Sequence, residues 1–533
     1  MIYINNLKKT IVGRTLFNID NLTINDEDKI GLIGNNGVGK TSLFRILAFF
    51  DNDYRGDFFN NSKINYLIDD YYDDNFSDEI YSKAKLKYGD KYSPGEFQRL
   101  RLIDLLKDSS SFLLIDEPTS HLDINMKEEL IKRLNDRYIG YMVISHDRDF
   151  INRTCNKIIE LEDQKLEIYN GNYSFYLNER IKRKKFQKRE YDSYINEKNR
   201  LLNITNYLKD RSSKINKTPK RMGNSEARLH KMGGQENKRK IDNQIKSIES
   251  RIDHLEIKEK PVEEKPIKLS LDESDRIYSK ILVREDNLNK SFSDKIIFSS
   301  AKFIIKNNSK VSLIGENGSG KTTLLNMIIN REVWVHPNIK IGYYRQKDEI
   351  LRNDKSILSN VLDTSIYDET LTRIILARLG FRKDRVNKRV CNLSDGERAK
   401  VKLAKIMTAN FNLLIMDEPT NYLDIRAIEA LEDLLKGYDR PIIFVSHDVS
   451  FINNVADSLL IIEDKKIKSF NGNFKEYRKR MEEKNRNDNS KDLLIDFKIN
   501  SINNRLSMEI SKEEREKLEE EYIRLLEEKN SSN

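Results

Sequence analysis

Apolar and polar positions along the chain follow one order of features twice. In the first half an apolar run, Lys29–Ile33, enters GNNGVGKT (Gly34 to Thr41), and a helical period opens with Ser42-Leu43-Phe44. Tyr92-Ser93-Pro94-Gly95-Glu96 follows, then the apolar run Phe112–Ile115 ending in Asp116-Glu117, then a further apolar run before Ser145-His146-Asp147. The second half gives Lys310–Ile314, GENGSGKT (Gly315 to Thr322), Leu393-Ser394-Asp395-Gly396-Glu397, Leu413–Met416 ending in Asp417-Glu418, and Ser446-His447-Asp448. Short apolar runs alternating with helical stretches predict an α/β fold with a largely parallel sheet in each half. The opening residues, MIYINNLKKT, alternate as a strand does and carry no apolar leader core. No run of eighteen apolar residues is present, so no membrane-spanning helix is expected.

Between the halves the period changes. Ile241, Ile245, Ile248, Ile252 and Leu255 step by four and three, a heptad seam, and Tyr194, Leu201 and Leu208 fall seven apart before them. Thr218-Pro219, Gly223 and Gly233-Gly234 read as helix breakers. The pattern predicts two antiparallel helices of about 30–35 residues, projecting roughly 45–50 Å, joined by a bent tip. After Tyr477 the chain turns polar, and Ser511 stands before Glu514 at capping-box spacing, the start of a charged helix. The expected organisation is an α/β unit at 1–176, a helical hairpin at 177–275, a second α/β unit at 276–478 and a C-terminal helical extension at 479–533.

Charge sharpens this division. The 533 residues carry a net +9, yet residues 177–258 alone hold 23 Lys and Arg against 11 Asp and Glu, a net +12. The basic surplus therefore sits in the hairpin, where a polyanion such as nucleic acid is the expected partner. Cys155 and Cys391 match no zinc spacing and are expected to be reduced, buried thiols of a cytoplasmic protein.

The two octapeptides carry the chemistry. Each fits G-x-x-x-x-G-K-[ST], in which backbone N–H groups wrap a phosphate, the Lys reaches the outer phosphates and the hydroxyl reaches Mg²⁺. This assigns Gly34, Asn35, Asn36, Gly37, Val38, Gly39, Lys40, Thr41 and Ser42 to one ATP, with Gly315, Glu316, Asn317, Gly318, Ser319, Gly320, Lys321, Thr322 and Thr323 for a second. Asp116 and Asp417, at strand ends, suit the metal together with Thr41 and Thr322. Glu117 and Glu418 come next; side chains alternate in a strand, so each points elsewhere and can polarise an attacking water. His146 and His447 hold matching places in the two halves and are candidates to contact the γ-phosphate. Ser-His-Asp is no hydrolase triad here, since adjacent residues cannot converge in that geometry.

In this order the phosphate loops, YSPGE and LSDGE, the two DEPT segments with their LD pairs, and the two SHD tripeptides resemble the ATP-binding-cassette ATPases. Two cassettes in tandem, no membrane segment and a basic helical linker are similar to the ABC-F branch, whose members act on ribosomes. The resemblance implies cassettes that close head to tail, each ATP held by one phosphate loop and the opposite signature. Lys40, Thr41, Asp116, Glu117 and His146 would then meet Ser394 and Gly396. Lys321, Thr322, Asp417, Glu418 and His447 would meet Ser93 and Gly95. It also implies an adenine-stacking role for Phe292 and a metal- and ATP-contacting role for Gln346. The first half offers Ile11 or Val12, and Asp69, at those two places, and Pro94 stands where a glycine is usual, so unequal sites are expected.

Only 50 residues separate Thr41 from Tyr92, against 70 between Thr322 and Leu393, which leaves no room for the extra arm of many housekeeping members. The segment Thr218–Gly234 and the C-terminal extension resemble the Vga/Lsa/Sal group of resistance proteins. That likeness implies protection of the 70S ribosome from lincosamides, pleuromutilins and streptogramin A. The hairpin would enter the tRNA exit site beside P-site tRNA and large-subunit rRNA. Lys214, Lys217, Lys220 and Arg221 would pair with phosphates, and Met222 would give an apolar contact. The expected state is a monomer with intramolecular cassette pairing. A housekeeping factor that rescues stalled ribosomes, the ATPase subunit of a drug exporter and a DNA-maintenance ATPase are the competing readings.

Overall fold

The computed structural model describes the chain except residues 12, 69–75, 85, 87, 89–91, 216–223, 259, 261–266, 271–276, 293–294, 346–348 and most of 484–533, where residues 499, 502, 520 and 522–525 are described. For residues 224–236 it describes the helical backbone alone. Asp69, Gln346, Lys217, Lys220, Arg221, Met222 and the predicted cap at Ser511 lie outside the described residues. The chain divides into two compact units, Met1–Ile168 with Pro266–Asn533, and Tyr169–Lys265.

The first unit holds two α/β halves. The first half runs β1 (Ile2–Ile11), β2 (Arg14–Ile24), β3 (Lys29–Ile33), α1 (Lys40–Leu47), β4 (Arg55–Asn60), β5 (Ile64–Leu67), α2 (Asp78–Ala84), α3 (Pro94–Leu105), β6 (Phe112–Asp116), α4 (Ile124–Asn135), β7 (Tyr141–Ile144), α5 (Arg148–Thr154), β8 (Lys157–Glu162) and β9 (Lys165–Tyr169). Its main sheet has the order β5-β6-β7-β3-β8-β9, and β2-β1-β4 form a separate antiparallel sheet. The pairs from β5 through β8 are parallel. Because β3 lies between β7 and β8, the loop leaving its carboxyl end is flanked by the ends of its neighbours, where open parallel sheets place their ligands. Central strands buried on both faces read as unbroken apolar runs, as Phe112–Ile115 and Tyr141–Ile144 do.

After the helical unit, the second half runs β10 (Ile281–Phe292), β11 (Lys295–Lys306), β12 (Lys310–Gly315), α8 (Lys321–Ile329), β13 (Trp334–Val335), β14 (Ile341–Tyr344), α9 (Ile357–Leu362), α10 (Glu369–Arg378), α11 (Asp395–Thr408), β15 (Leu413–Asp417), α12 (Ile425–Lys436), β16 (Ile442–Val445), α13 (Val449–Val455), β17 (Ser458–Glu463) and β18 (Lys466–Asn471). Its main sheet, β14-β15-β16-β12-β17-β18, repeats the order of the first. Leu324, Leu325 and Ile328 of α8 pack on one face with Leu313, Ile415 and Ile443. Leu431, Leu434 and Leu435 of α12 pack on the other with Leu414, Met416 and Phe444.

The helical unit contains α6 (Tyr173–Lys214) and α7 (Asn224–Asp253). Leu208, Ile241 and Ile245 form its buried seam, with Ile204 and Ile248 packed against it. Ser212 donates to Asp242 at 2.8 Å and Lys209 pairs with Glu249 at 2.8 Å, so the helices run antiparallel.

Four expectations need correction. Gly233 and Gly234 do not break the helix; α7 runs through both. Each glycine costs about 1 kcal/mol relative to alanine, and the packed seam that follows offsets it. Helix α6 is longer than the expected arm, because Asn172 caps it by accepting from Phe175 N at 3.1 Å. Cys391 is exposed rather than buried, since its neighbour Val390 takes the inward position of the turn; Cys155 is buried as expected. Finally, α1 opens at Lys40 rather than Ser42, because Gly39 adopts the left-handed conformation that starts it.

Candidate active site

Each phosphate loop closes on itself through its glycines. Gly37 and Gly39 have φ of 77° and 106°, and Gly318 and Gly320 match them at 76° and 105°. These left-handed values are strained for any residue with a Cβ, and they turn the loop N–H groups toward one point at the start of α1 or α8. A helix start adds partial positive charge there. Lys40 Nζ donates to the carbonyls of Gly34 and Asn35 at 2.8 and 3.1 Å; Lys321 Nζ does the same to Gly315 and Glu316 at 2.8 and 2.9 Å. Burial pulls both ammonium groups below their ordinary range.

Thr41 Oγ1 donates to Asp116 at 2.7 Å and Thr322 Oγ1 to Asp417 at 3.2 Å. A hydroxyl and a carboxylate held together at the loop are oxygen donors that fit Mg²⁺. Glu117 and Glu418 lie one residue past their strands with φ of 46° and 50°. A left-handed non-glycine residue costs on the order of 1–3 kcal/mol. This turn, rather than strand alternation, sets where the two carboxyls point. It is held because Glu117 N donates to Ile144 O at 2.9 Å and Glu418 N to Val445 O at 3.0 Å.

His146 Nε2 stands 3.3 Å from Glu117 Oε1, and His447 Nε2 stands 3.4 Å from Glu418 Oε1. Burial, then the repulsion of Asp116, pushes Glu117 up to about 8; burial and Asp417 push Glu418 up to about 7. Burial and nearby Lys40 hold His146 down to about 3, and His447 is also held well down. The histidines are thus neutral at ordinary pH, and these contacts are not ion pairs. Carboxyls poised near neutrality suit a general base. Glu117 Oε1, His146 Nδ1, Glu418 Oε1 and His447 Nδ1 are buried atoms with no hydrogen-bond partner. Unspent polar groups of this kind, facing a phosphate loop, fit a nucleotide and its attacking water.

The two halves meet reciprocally. Asn36 Nδ2, in the first loop, donates to Tyr422 O at 2.9 Å; Asn317 Nδ2, in the second, donates to His121 O at 2.9 Å. A methyl group added at Gly396 would stand 2.7 Å from Tyr422 O and 3.0 Å from Asn36 Nδ2. At Gly95 it would stand 2.6 Å from His121 O and 3.0 Å from Asn317 Nδ2. Each signature glycine therefore lies against the loop of the other half. Ser93 and Ser394 cap α3 and α11 in full capping boxes with Glu96 and Glu397. Pro94 fits because the first position of a helix needs no N–H donor, but it presents one N–H fewer. It does so beside the second loop, although it belongs to the first half.

Phe292 ends β10 and is 55% exposed, and Lys290 Nζ lies 5.8 Å from its ring centroid. Ile11 ends β1 in the matching place. Lys214 closes the last turn of α6.

Sequence reasoning missed Asp123 and Asp424. Each caps the next helix, accepting from Met126 N and Ala427 N at 2.9 Å. Each also reaches across: Asn317 N donates to Asp123 Oδ2 at 3.3 Å and Asn36 N to Asp424 Oδ2 at 3.4 Å. The signal was present as the repeated Leu-Asp pair after each DEPT segment. Lys400 also pairs with Asp424 at 2.7 Å.

The "ABC transporter" family model matches residues 298–421. The ribosome protection protein VmlR of Bacillus subtilis is 31% identical, over 87% of this chain and 87% of its own length. The erythromycin resistance ATP-binding protein MsrA of Staphylococcus epidermidis is 31% identical, over 85% of this chain and 96% of its own. Among solved structures, an archaeal ribosome recycling factor, aABCE1, in complex with the ribosomal stalk protein aP1 superposes with a TM-score of 0.58 over 90% of this chain and 92% of that one. At 18% identity that likeness shows the fold. Among the described residues no helix is long and apolar enough to cross a membrane.

Proposed function

Since the chain belongs to the ABC-F family of ATP-binding-cassette ATPases, grouped with its ribosome-protection resistance proteins, we propose that it protects the bacterial ribosome from drugs of the peptidyl-transferase region. Its chemistry is ATP hydrolysis. The observation that carries the coupling is the reciprocal seating of each phosphate loop on the opposite signature glycine. Two ATP molecules bound in that way would draw the halves together, and hydrolysis would let them part.

At the first site Lys40 and the loop N–H groups would bind the phosphates. Thr41 and Asp116 would hold Mg²⁺, which supplies charge neutralisation of the phosphates when bound. Ser394 and Gly396 close the site from the other half. Glu117 would take a proton from water, with neutral His146 fixing its neighbour. The second site repeats these roles with Lys321, Thr322, Asp417, Glu418, His447, Ser93 and Gly95. Phe292 would stack on adenine, and Gln346 would reach the second metal. Asp69 at the first site and Pro94 at the second are departures that fall on opposite sites.

The helical unit is the proposed ribosome-binding element, reaching the tRNA exit site in a cytoplasmic 70S ribosome. The ribosome-protection relatives and the net +12 of residues 177–258 support this. Lys184 and Lys185 on α6 are exposed, as is Lys182, which pairs with Glu179 at 2.7 Å on the helix surface. Arg183 is spent on Tyr169, donating to its hydroxyl at 3.0 Å. The proposed tip residues are Lys214, Lys217, Lys220, Arg221 and Met222, and the drugs countered are proposed to be lincosamides, pleuromutilins and streptogramin A.

Lys182→Ala, Lys184→Ala and Lys185→Ala together are expected to weaken ribosome pelleting and to flatten its dependence on salt, by about 0.7–0.9 in logarithmic slope for each phosphate no longer neutralised. Lys217, Lys220, Arg221 and Met222 changed to Ala are expected to leave most of the pelleting and to abolish growth under lincosamide. Pelleting of the wild-type chain with membranes rather than ribosomes would favour an exporter subunit. Ribosome binding without any change in susceptibility would favour a housekeeping factor.

A further inference from the structure

The two halves are alike in the order of their motifs, yet Lys127, a buried cation at their boundary, is matched in the second half by an apolar residue. Lys127 lies one turn into α4, just past the Asp123 cap, and its side chain is 9% exposed. Its Nζ donates to Asp147 Oδ2 at 2.5 Å within its own half. It also donates to the backbone carbonyl of His447, in the other half, at 2.9 Å. His447 is the histidine whose ring faces Glu418. Aligning the caps Asp123 and Asp424 places Ile428 opposite Lys127, and an isoleucine side chain donates nothing.

The matching aspartates show what this difference does. Asp147 caps α5, accepting from Phe150 N at 3.0 Å, and gives its second oxygen to Lys127. Asp448 caps α13 in the same way, accepting from Phe451 N at 2.9 Å, but its Oδ2 has no hydrogen-bond partner. Arg148 Nη2 stands 3.9 Å from Asp448 and is engaged by Glu432. Position 428, which matches Lys127, therefore supplies no donor toward the carbonyl of His146. A carbonyl fixed by an ammonium is held by a charge-assisted bond, stronger than a neutral one. Losing that ammonium strands a buried carboxylate and a partly buried carbonyl at once.

We propose that Lys127 is a positioning residue for the second hydrolytic site, supplied by the first half: it fixes the His447 main chain, and through it the imidazole against Glu418, only when the halves are seated together. Site two is thereby tied to closure through its histidine main chain by a donor that Ile428 cannot supply at site one. This rests on the assignment of Glu418 as the hydrolytic carboxylate there.

The test isolates one site at a time. In a Glu117→Gln background turnover reports the second site; in a Glu418→Gln background it reports the first. Lys127→Met is expected to lower kcat about tenfold in the first background, with the Kd for ATP held within twofold, and to lower it less than threefold in the second. Lys127→Arg, which keeps the charge and the donors, is expected to restore most of the loss. Should Lys127→Met melt below the assay temperature, Lys127→Gln, which keeps an N–H donor without the charge, is measured the same way, with an intermediate loss confined to the second site expected. Equal losses in both backgrounds, a loss carried by Kd alone, or no loss would overturn the proposal. If Glu418→Gln alone left the second site turning over, the assignment of Glu418 would fail instead, and the two failures are thus distinguishable.

Discussion

Glu117→Gln combined with Glu418→Gln is expected to lower ATP turnover at least 100-fold while leaving nucleotide binding intact. General-base catalysis contributes about 10²–10⁴-fold, and each glutamate is the carboxyl nearest its neutral histidine, at 3.3 and 3.4 Å. Glutamine keeps the shape and the left-handed backbone turn, so the loops, Thr41–Asp116 and Thr322–Asp417, stay in place. The double variant should therefore close on ATP and not reopen. Its ribosome-bound fraction with ATP should rise above that of the wild-type chain, and it should arrest growth when produced in cells. Turnover by the double variant at the wild-type rate would remove both glutamates from the chemistry. Loss of ATP binding would make their role structural.

The second large effect comes from the two signature glycines. Gly396→Ala would place a methyl group 2.7 Å from the Tyr422 carbonyl oxygen, and Gly95→Ala would place one 2.6 Å from that of His121. In each case that carbonyl belongs to the glycine's own half and is the one that accepts from Asn36 or Asn317 of the opposite loop, whose amide would itself stand 3.0 Å from the methyl group, so relief disturbs the seat of the other half's loop. Each alanine alone should leave ATP binding to the isolated loops nearly unchanged. Turnover of the double alanine variant should drop by more than tenfold, and its ATP-dependent ribosome binding should vanish. Overpacking of this kind costs about 1–3 kcal/mol, which at 1.4 kcal/mol per tenfold is enough to open a closed state. Wild-type turnover with both alanines present would mean that hydrolysis does not need the halves to meet in this way.

What could be read from the chain alone follows from which interactions are local. The phosphate loops, Asp116 and Asp417 at strand ends, and the serine caps of α3 and α11 are each written within a few consecutive residues and written twice. The left-handed turn at Glu117 and Glu418 was not legible, because it depends on main-chain bonds from the neighbouring strands to residues of ordinary type. Gly233-Gly234 misled for a related reason: local propensity favours a break, and the seam of Ile241 and Ile245 on Leu208 overrides it. That Pro94 belongs with the second phosphate loop needs the crossing of two halves, which the sequence conveys only through the family resemblance. Lys127 was invisible altogether. Its partner, the His447 carbonyl, is 320 residues away and carries no side-chain signal.

The most direct test of ATP-driven ribosome protection is a reporter translated by purified bacterial ribosomes halted with a lincosamide, a pleuromutilin or a streptogramin A, with and without the purified chain. Wild-type protein with ATP should restore synthesis under at least one of these drugs. It should fail without ATP, and the Glu117→Gln/Glu418→Gln variant should restore nothing. No restoration under any of the three drugs, or restoration that needs no ATP, would contradict it.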